Sequence, residues 1–114
     1  RVHLLVVPRE HVRNTSDLEP GARHLALLDR MRAVGEQQLR LCAERLGLPA
    51  EAASYVFHVP PFNSIDHLHL HCRLPPNDNT WAAVKYQAGT PWCKSFETVR
   101  QRLAGVDGGG LLTE

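Results

Sequence analysis

The sequence predicts an α+β fold: an antiparallel sheet with one long helix packed on it and a C-terminal helix closing one side. Three observations lead there. Short aliphatic and β-branched runs bounded by proline and turn residues recur at 2–7, 54–59 and 65–74. An apolar spacing of three and four residues fills the interval up to Leu46. A second, shorter helical pattern follows Ser95.

The elements follow in order. Residues 2–7 read as a strand that Pro8 ends, because proline lacks the donor a ladder needs. Asn14, Thr15, Ser16 and Asp17 are N-cap residues, with Glu19 and Pro20 in a first-turn position. From there Leu25, Leu28, Met31, Gly35, Leu39, Cys42 and Leu46 mark one helical face, and Arg23, Asp29, Arg30, Glu36, Arg40 and Glu44 the other. Cys42 is expected as a buried thiol, and His11 and His24 as surface residues. Gly47 and Pro49 stop the helix. Residues 54–59 form a second strand, broken by Pro60-Pro61-Phe62-Asn63-Ser64, and period-2 alternation resumes from 65 to 74. After a loop at 75–79, residues 81–86 read as a short strand. Ser95 caps a closing helix over 96–104, and Gly105 ends it. This gives one domain over 1–104 and a flexible, glycine-rich tail over 105–114. The chain opens on Arg1 with a strand already in progress, so it is expected to lack an N-terminal part, and its sheet edge would then be a liability.

Composition narrows the function classes. Thirteen Lys+Arg against twelve Asp+Glu give a net charge of +1, which excludes the strongly basic footprint of a nucleic-acid module. No apolar run approaches a membrane span and no signal peptide is visible. The three cysteines, Cys42, Cys72 and Cys93, are odd in number and scattered, which argues for a reducing compartment: the cytoplasm, with access to the nucleus. Histidine stands out, with seven residues, four of them between 58 and 71.

His67-Leu68-His69-Leu70-His71 is the informative segment. On a strand the three imidazoles share one face and the two leucines face a core, with neighbouring imidazoles starting about 6.5–7 Å apart. Three chemistries suit that row. A metal can bridge two imidazoles at i and i+2, with His58, His3, Asp66 and Cys72 as further ligands. An imidazole-lined pocket can hold a phosphate or other anion. A solvent-facing row with no role is the third reading. Imidazole is also a competent nucleophile towards phosphorus at neutral pH, because an unperturbed pKa near 6.5 leaves much of it neutral. A middle histidine with one nitrogen on a backbone carbonyl presents the other to an electrophile, and its neighbour can protonate a leaving group. Asn63 and Ser64 would bring an amide and a hydroxyl to phosphate oxygens.

These residues resemble the histidine-triad family, whose motif is His-φ-His-φ-His-φ-φ with φ apolar. His67-Leu68-His69-Leu70-His71-Cys72 matches all but the last position, where Arg73 stands. His3-Leu4-Leu5-Val6-Val7-Pro8-Arg9-Glu10-His11 resembles the strand that carries the family's fourth histidine. The block from Val59 to His67, with its Pro-Pro-Phe-Asn-Ser run, and the later Trp92 are most similar to the third Hint group. The resemblance implies a HIT-like fold and a nucleotidyl hydrolase of the adenosine 5′-monophosphoramidase type. Its substrate would be a purine nucleotide or nucleoside phosphoramidate, attacked at the α-phosphate without metal or cofactor. It assigns His69 as the nucleophile, oriented by the His67 carbonyl, and His71 to the phosphate and leaving group. The His67 side chain and His3 would support the sheet-side hydrogen bonds, and Ser64 and Asn63 would bind phosphate. His58 stands nearest to where the family has an amide ligand. A homodimer is expected, with no nucleic-acid polymer and no membrane as partner. Alternatives are an adenylylsulfate or dinucleoside polyphosphate hydrolase, and outside enzymes a non-catalytic scaffold or a metal-binding protein.

Overall fold

The computed structural model describes residues 2–60, 67–75 and 80–105. Four strands form one antiparallel sheet: β1 (Val2–Val6), β2 (Ser54–His58), β3 (Leu70–Leu74) and β4 (Cys93–Ser95), in the order β1-β3-β2-β4. A 25-residue helix α1 (Ala22–Leu46) covers one face, and α3 (Phe96–Leu103) packs beside it. A short helix α2 (Thr80–Lys85) lies between β3 and β4 in the chain.

Period-2 patterning sets the two faces of the sheet. On β3, Leu70, Cys72 and Leu74 are fully buried in the core with Leu28, Met31 and Leu39 of α1, and their register partners Val6, Leu4 and Val2 pack on the same core. His71 and Arg73 therefore point to the opposite face. The approach of α1 to β3 is close enough to require glycine at one point: a Cβ added to Gly35 would lie 2.6 Å from Cys72 Sγ.

The ends of the helices follow local chemistry. Gly47 takes the left-handed conformation (φ 70°) that closes α1, donating its N–H to the Ala43 carbonyl. Ser95 caps α3 by accepting the Thr98 N–H at 3.1 Å. The Arg100 guanidinium binds both carboxylate oxygens of Asp29, and Arg32 reaches Glu97, so two ion pairs link α1 to α3.

Several sequence expectations are corrected. Residues 81–86 are not a strand: 80–85 are helical, since two alanines and a lysine continue the turn and Tyr86 N–H closes onto the Ala82 carbonyl. The cap cluster at 14–17 closes only a single 3₁₀ turn (Thr15–Asp17), and α1 starts at Ala22 after Gly21. The third strand begins at Leu70, with 67–69 leading into it outside the ladder. His24 is buried rather than on the surface, because its Nδ1 accepts the Glu19 N–H at 2.8 Å. Ala43, not Cys42, faces the core one turn before the helix ends, and Cys42 is half-buried. The three-residue β4 and the turn Ala50–Ala52 carried no periodic signal. The tail over 106–114 lies outside the described residues.

Candidate active site

The face of the sheet away from α1 carries His3 from β1, His58 from β2, and His69 and His71 at the start of β3. The Pro8–Val12 segment holds the entry to β3 in place. Leu68 N–H donates to the Val12 carbonyl at 2.6 Å, and His67 Nε2–H donates to the Pro8 carbonyl at 3.1 Å. Leu68 is buried in the core, so the side chains on either side of it turn to the opposite face, where His69 is 8% exposed.

One hydrogen bond fixes the chemistry of His69. Its Nδ1–H donates to the His67 carbonyl at 2.7 Å, so in the neutral ring Nε2 carries the lone pair. His71 stands beside it, with ring centroids 4.8 Å apart and the two rings edge to face. His71 Nδ1 pairs with His3 Nε2 at 2.8 Å, so His3 serves His71 and not His67. The second nitrogen of His71, Nε2, is buried without a hydrogen-bond partner. His58 Nε2–H donates to the Lys85 carbonyl at 3.0 Å, and its ring lies 4.6 Å from that of His71.

Tyr86, which follows α2, is the residue the sequence did not announce. Its ring centroid lies 4.9 Å from His3, 5.0 Å from His58 and 5.2 Å from His71, and it closes the cluster from above. The Arg73 guanidinium sits over the same ring at 4.0 Å. Reading 81–86 as a strand hid this contact; a helical reading places Ala82 and Tyr86 four apart on one face.

Burial is the main electrostatic fact of the site. It pushes His71 down to about 2, with His58, His69 and His3 adding to the effect. His3 is lowered first by burial and then by Arg73 and Lys85. Burial also lowers His58, against the opposing effect of its bond to the Lys85 carbonyl. All three rings are therefore neutral at physiological pH, beside a guanidinium that is always charged. Burying a guanidinium costs several kcal/mol, of which a desolvated cation–π contact returns about 2 kcal/mol or somewhat more.

Among the described residues, no group of three or more His, Cys, Asp or Glu is placed to hold a metal ion. His3 and His71 bond each other, and His58, His67 and His69 each direct a nitrogen to a carbonyl. Asn63, Ser64 and Asp66 lie outside the described residues. Beyond His58 the surface opens into an apolar cavity of about 410 Å³ lined by Trp81, Val84, Lys85 and Trp92.

Comparison with known proteins agrees with this geometry. The family model described as "Scavenger mRNA decapping enzyme C-term binding" matches residues 1–87. A bifunctional adenosine 5′-phosphosulfate phosphorylase/adenylylsulfatase of Arabidopsis thaliana is 40% identical over 89 residues, 78% of this chain and 58% of that protein. An adenosine 5′-monophosphoramidase of Mus musculus is 30% identical over 108 residues, 89% of this chain and 59% of that protein. One from Xenopus tropicalis is 38% identical over 73 residues, 64% of this chain and 44% of that protein. The chain thus spans less than two thirds of the curated relatives it matches. No solved structure gives a significant match. With the motif, the fold and these relatives in agreement, the chain belongs to the histidine-triad family, in its Hint-like branch.

Proposed function

We propose that this protein is a nucleotidyl hydrolase that cleaves adenosine 5′-phosphoramidates at the α-phosphate through a covalent intermediate on His69. One observation carries the reading: the 2.7 Å bond from His69 Nδ1 to the His67 carbonyl, which leaves the Nε2 lone pair for phosphorus. Nε2 attacks, a P–N bond to His69 forms, and the bond to the leaving nitrogen breaks. Water then attacks the same phosphorus, the bond to Nε2 breaks, and nucleoside 5′-monophosphate is released.

His71 suits the proton traffic of both steps. It is neutral in the free protein because it is buried, and an arriving phosphate brings the negative charge that favours its imidazolium form. As imidazolium it donates to the phosphate and passes its proton to the leaving group; neutral again, it accepts one from the attacking water. His3 holds His71 through their shared hydrogen bond. Asn63 and Ser64 are assigned to the phosphate oxygens. His58 has spent its Nε2–H on Lys85, so it binds phosphate only when protonated at Nδ1.

Adenylylsulfate is the second reading, favoured by the 40% identical plant relative. It uses the same nucleophile and differs only in the leaving group, which departs as sulfate. The test is turnover of adenosine 5′-phosphoramidate and of adenylylsulfate by purified protein, with and without EDTA, beside His69→Ala. Turnover should survive EDTA and fall by about 10³-fold or more in the variant, with a nucleotidyl adduct trapped only on the parent protein. Loss to EDTA would replace this mechanism with a metal-dependent one. A folded protein that turns over neither substrate would leave the non-catalytic scaffold standing.

A further inference from the structure

Arg73 occupies the one apolar position of the family motif that this chain fills with a charged residue. Its side chain is only 8% exposed, and its Nε is buried without a hydrogen-bond partner. The ion pairs of Arg23, Arg32 and Arg100 do not reach Arg73. Its neighbours across the sheet are His3 on β1 and Ser54 on β2, neither of them an anion. The guanidinium touches the Tyr86 ring and lines a recess of about 230 Å³ with Ser54, Tyr86 and Gln87. A charge withdrawn this far from water requires a counter-charge, and among the described residues Arg73 meets the Tyr86 ring and is in none of the ion pairs.

We propose that this recess is an oxyanion site that takes a free tetrahedral dianion of the sulfate or phosphate class. The planar fork of the guanidinium matches two oxygens of such an ion. The Ser54 hydroxyl and the Gln87 amide, both exposed at the rim, add neutral donors. The volume is several times the ~30 Å³ share of one water, enough for the ion with part of its hydration. The site is distinct from His69. Arg73 lies two residues beyond His71, about 7 Å along the strand, and is reached past the Tyr86 ring.

The test is thermal unfolding of the full chain in sulfate or phosphate against chloride at matched ionic strength. Near ten times its Kd, the bound dianion should raise Tm by about 5 °C beyond chloride. Ser54→Glu decides the location. Position 54 is exposed and directly opposite Arg73, so the new carboxylate should itself raise Tm and abolish the dianion-specific rise. Its response also sets the baseline for the general salting effect of sulfate. Arg73→Met should likewise lose the response, and His69→Ala should keep it. A rise that survives Ser54→Glu and disappears in His69→Ala would place the ion on the histidines and overturn the proposal. So would the absence of any rise above the Ser54→Glu baseline. If Arg73→Met does not fold, Ser54→Glu and His69→Ala still give one answer or the other.

Discussion

The two faces of the sheet are built on opposite terms: one is sealed along β3, and the other is buried at His71 and Arg73 but exposed at His3 and Ser54. Towards α1, Leu70, Cys72 and Leu74 meet leucines and a methionine, and each buried group favours the folded state. Two residues of the same strand, His71 and Arg73, point the other way, at 5% and 8% exposure, under a six-residue helix and a single tyrosine. There, burial opposes charge: it lowers His71, His3 and His58, and each of the four rings, His69 included, has one nitrogen held in a hydrogen bond. A strand can thus carry stability on one side and chemistry on the other, with the alternation of side chains as the only partition.

That contrast can be broken from either side. The largest stability effect belongs to the apolar face: Leu70→Ala should cost about 2–5 kcal/mol in calorimetric or denaturant unfolding, whereas His69→Ala removes turnover with little change in Tm. Next comes Gly35→Ala. Its new Cβ would sit 2.6 Å from Cys72 Sγ, forcing helix and sheet apart at a cost of about 1–3 kcal/mol despite better helix propensity. Paired with Cys72→Ala, which removes the obstructing sulfur, the loss should shrink in a double-mutant cycle.

The histidine face should register acid instead. His71 is lowered in the folded state, so its contribution is present above the unfolded pKa of 6.5 and lost as pH falls towards about 2. Stability should therefore drop below pH 6.5 by about 1.4 kcal/mol per pH unit for this one group, and His71→Gln should flatten the slope in urea titrations. The smallest effect lies far from both faces: Ser95→Ala uncaps α3 and should cost about 1 kcal/mol.

The apolar face was the legible one. The aliphatic run of β1, the α1 spacing from Leu28 to Leu39, the stop at Gly47 and the cap at Ser95 are local signals that the structure matches, whereas Leu46, assigned to the same helical face, is exposed. The misreadings share a cause in long-range contacts. Trp81, Val84 and Tyr86 look like strand formers, but this segment folds as a helix over the histidines, where Tyr86 meets three rings and Trp92 Nε1 donates to the Val84 carbonyl. β4 is too short to show a period and exists because β2 offers it a ladder. In the site, His3, His58, His67, His69 and His71 are visible as residue types. The pairing of His3 with His71, and the roles of Tyr86 and Arg73, depend on strands and a helix distant in sequence.

The hydrogen bond that orients His69 comes from a main-chain oxygen two residues upstream. Any amino acid at position 67 would present the same carbonyl, provided the Leu68 N–H stays clasped by Val12. The tautomer of the central imidazole is thus encoded in the course of the backbone rather than in a neighbouring side chain. A change of side chain at 67 would give up the bond to the Pro8 carbonyl yet keep the oxygen that selects the His69 tautomer. Val12 and Leu68, joined through their backbones, share that constraint.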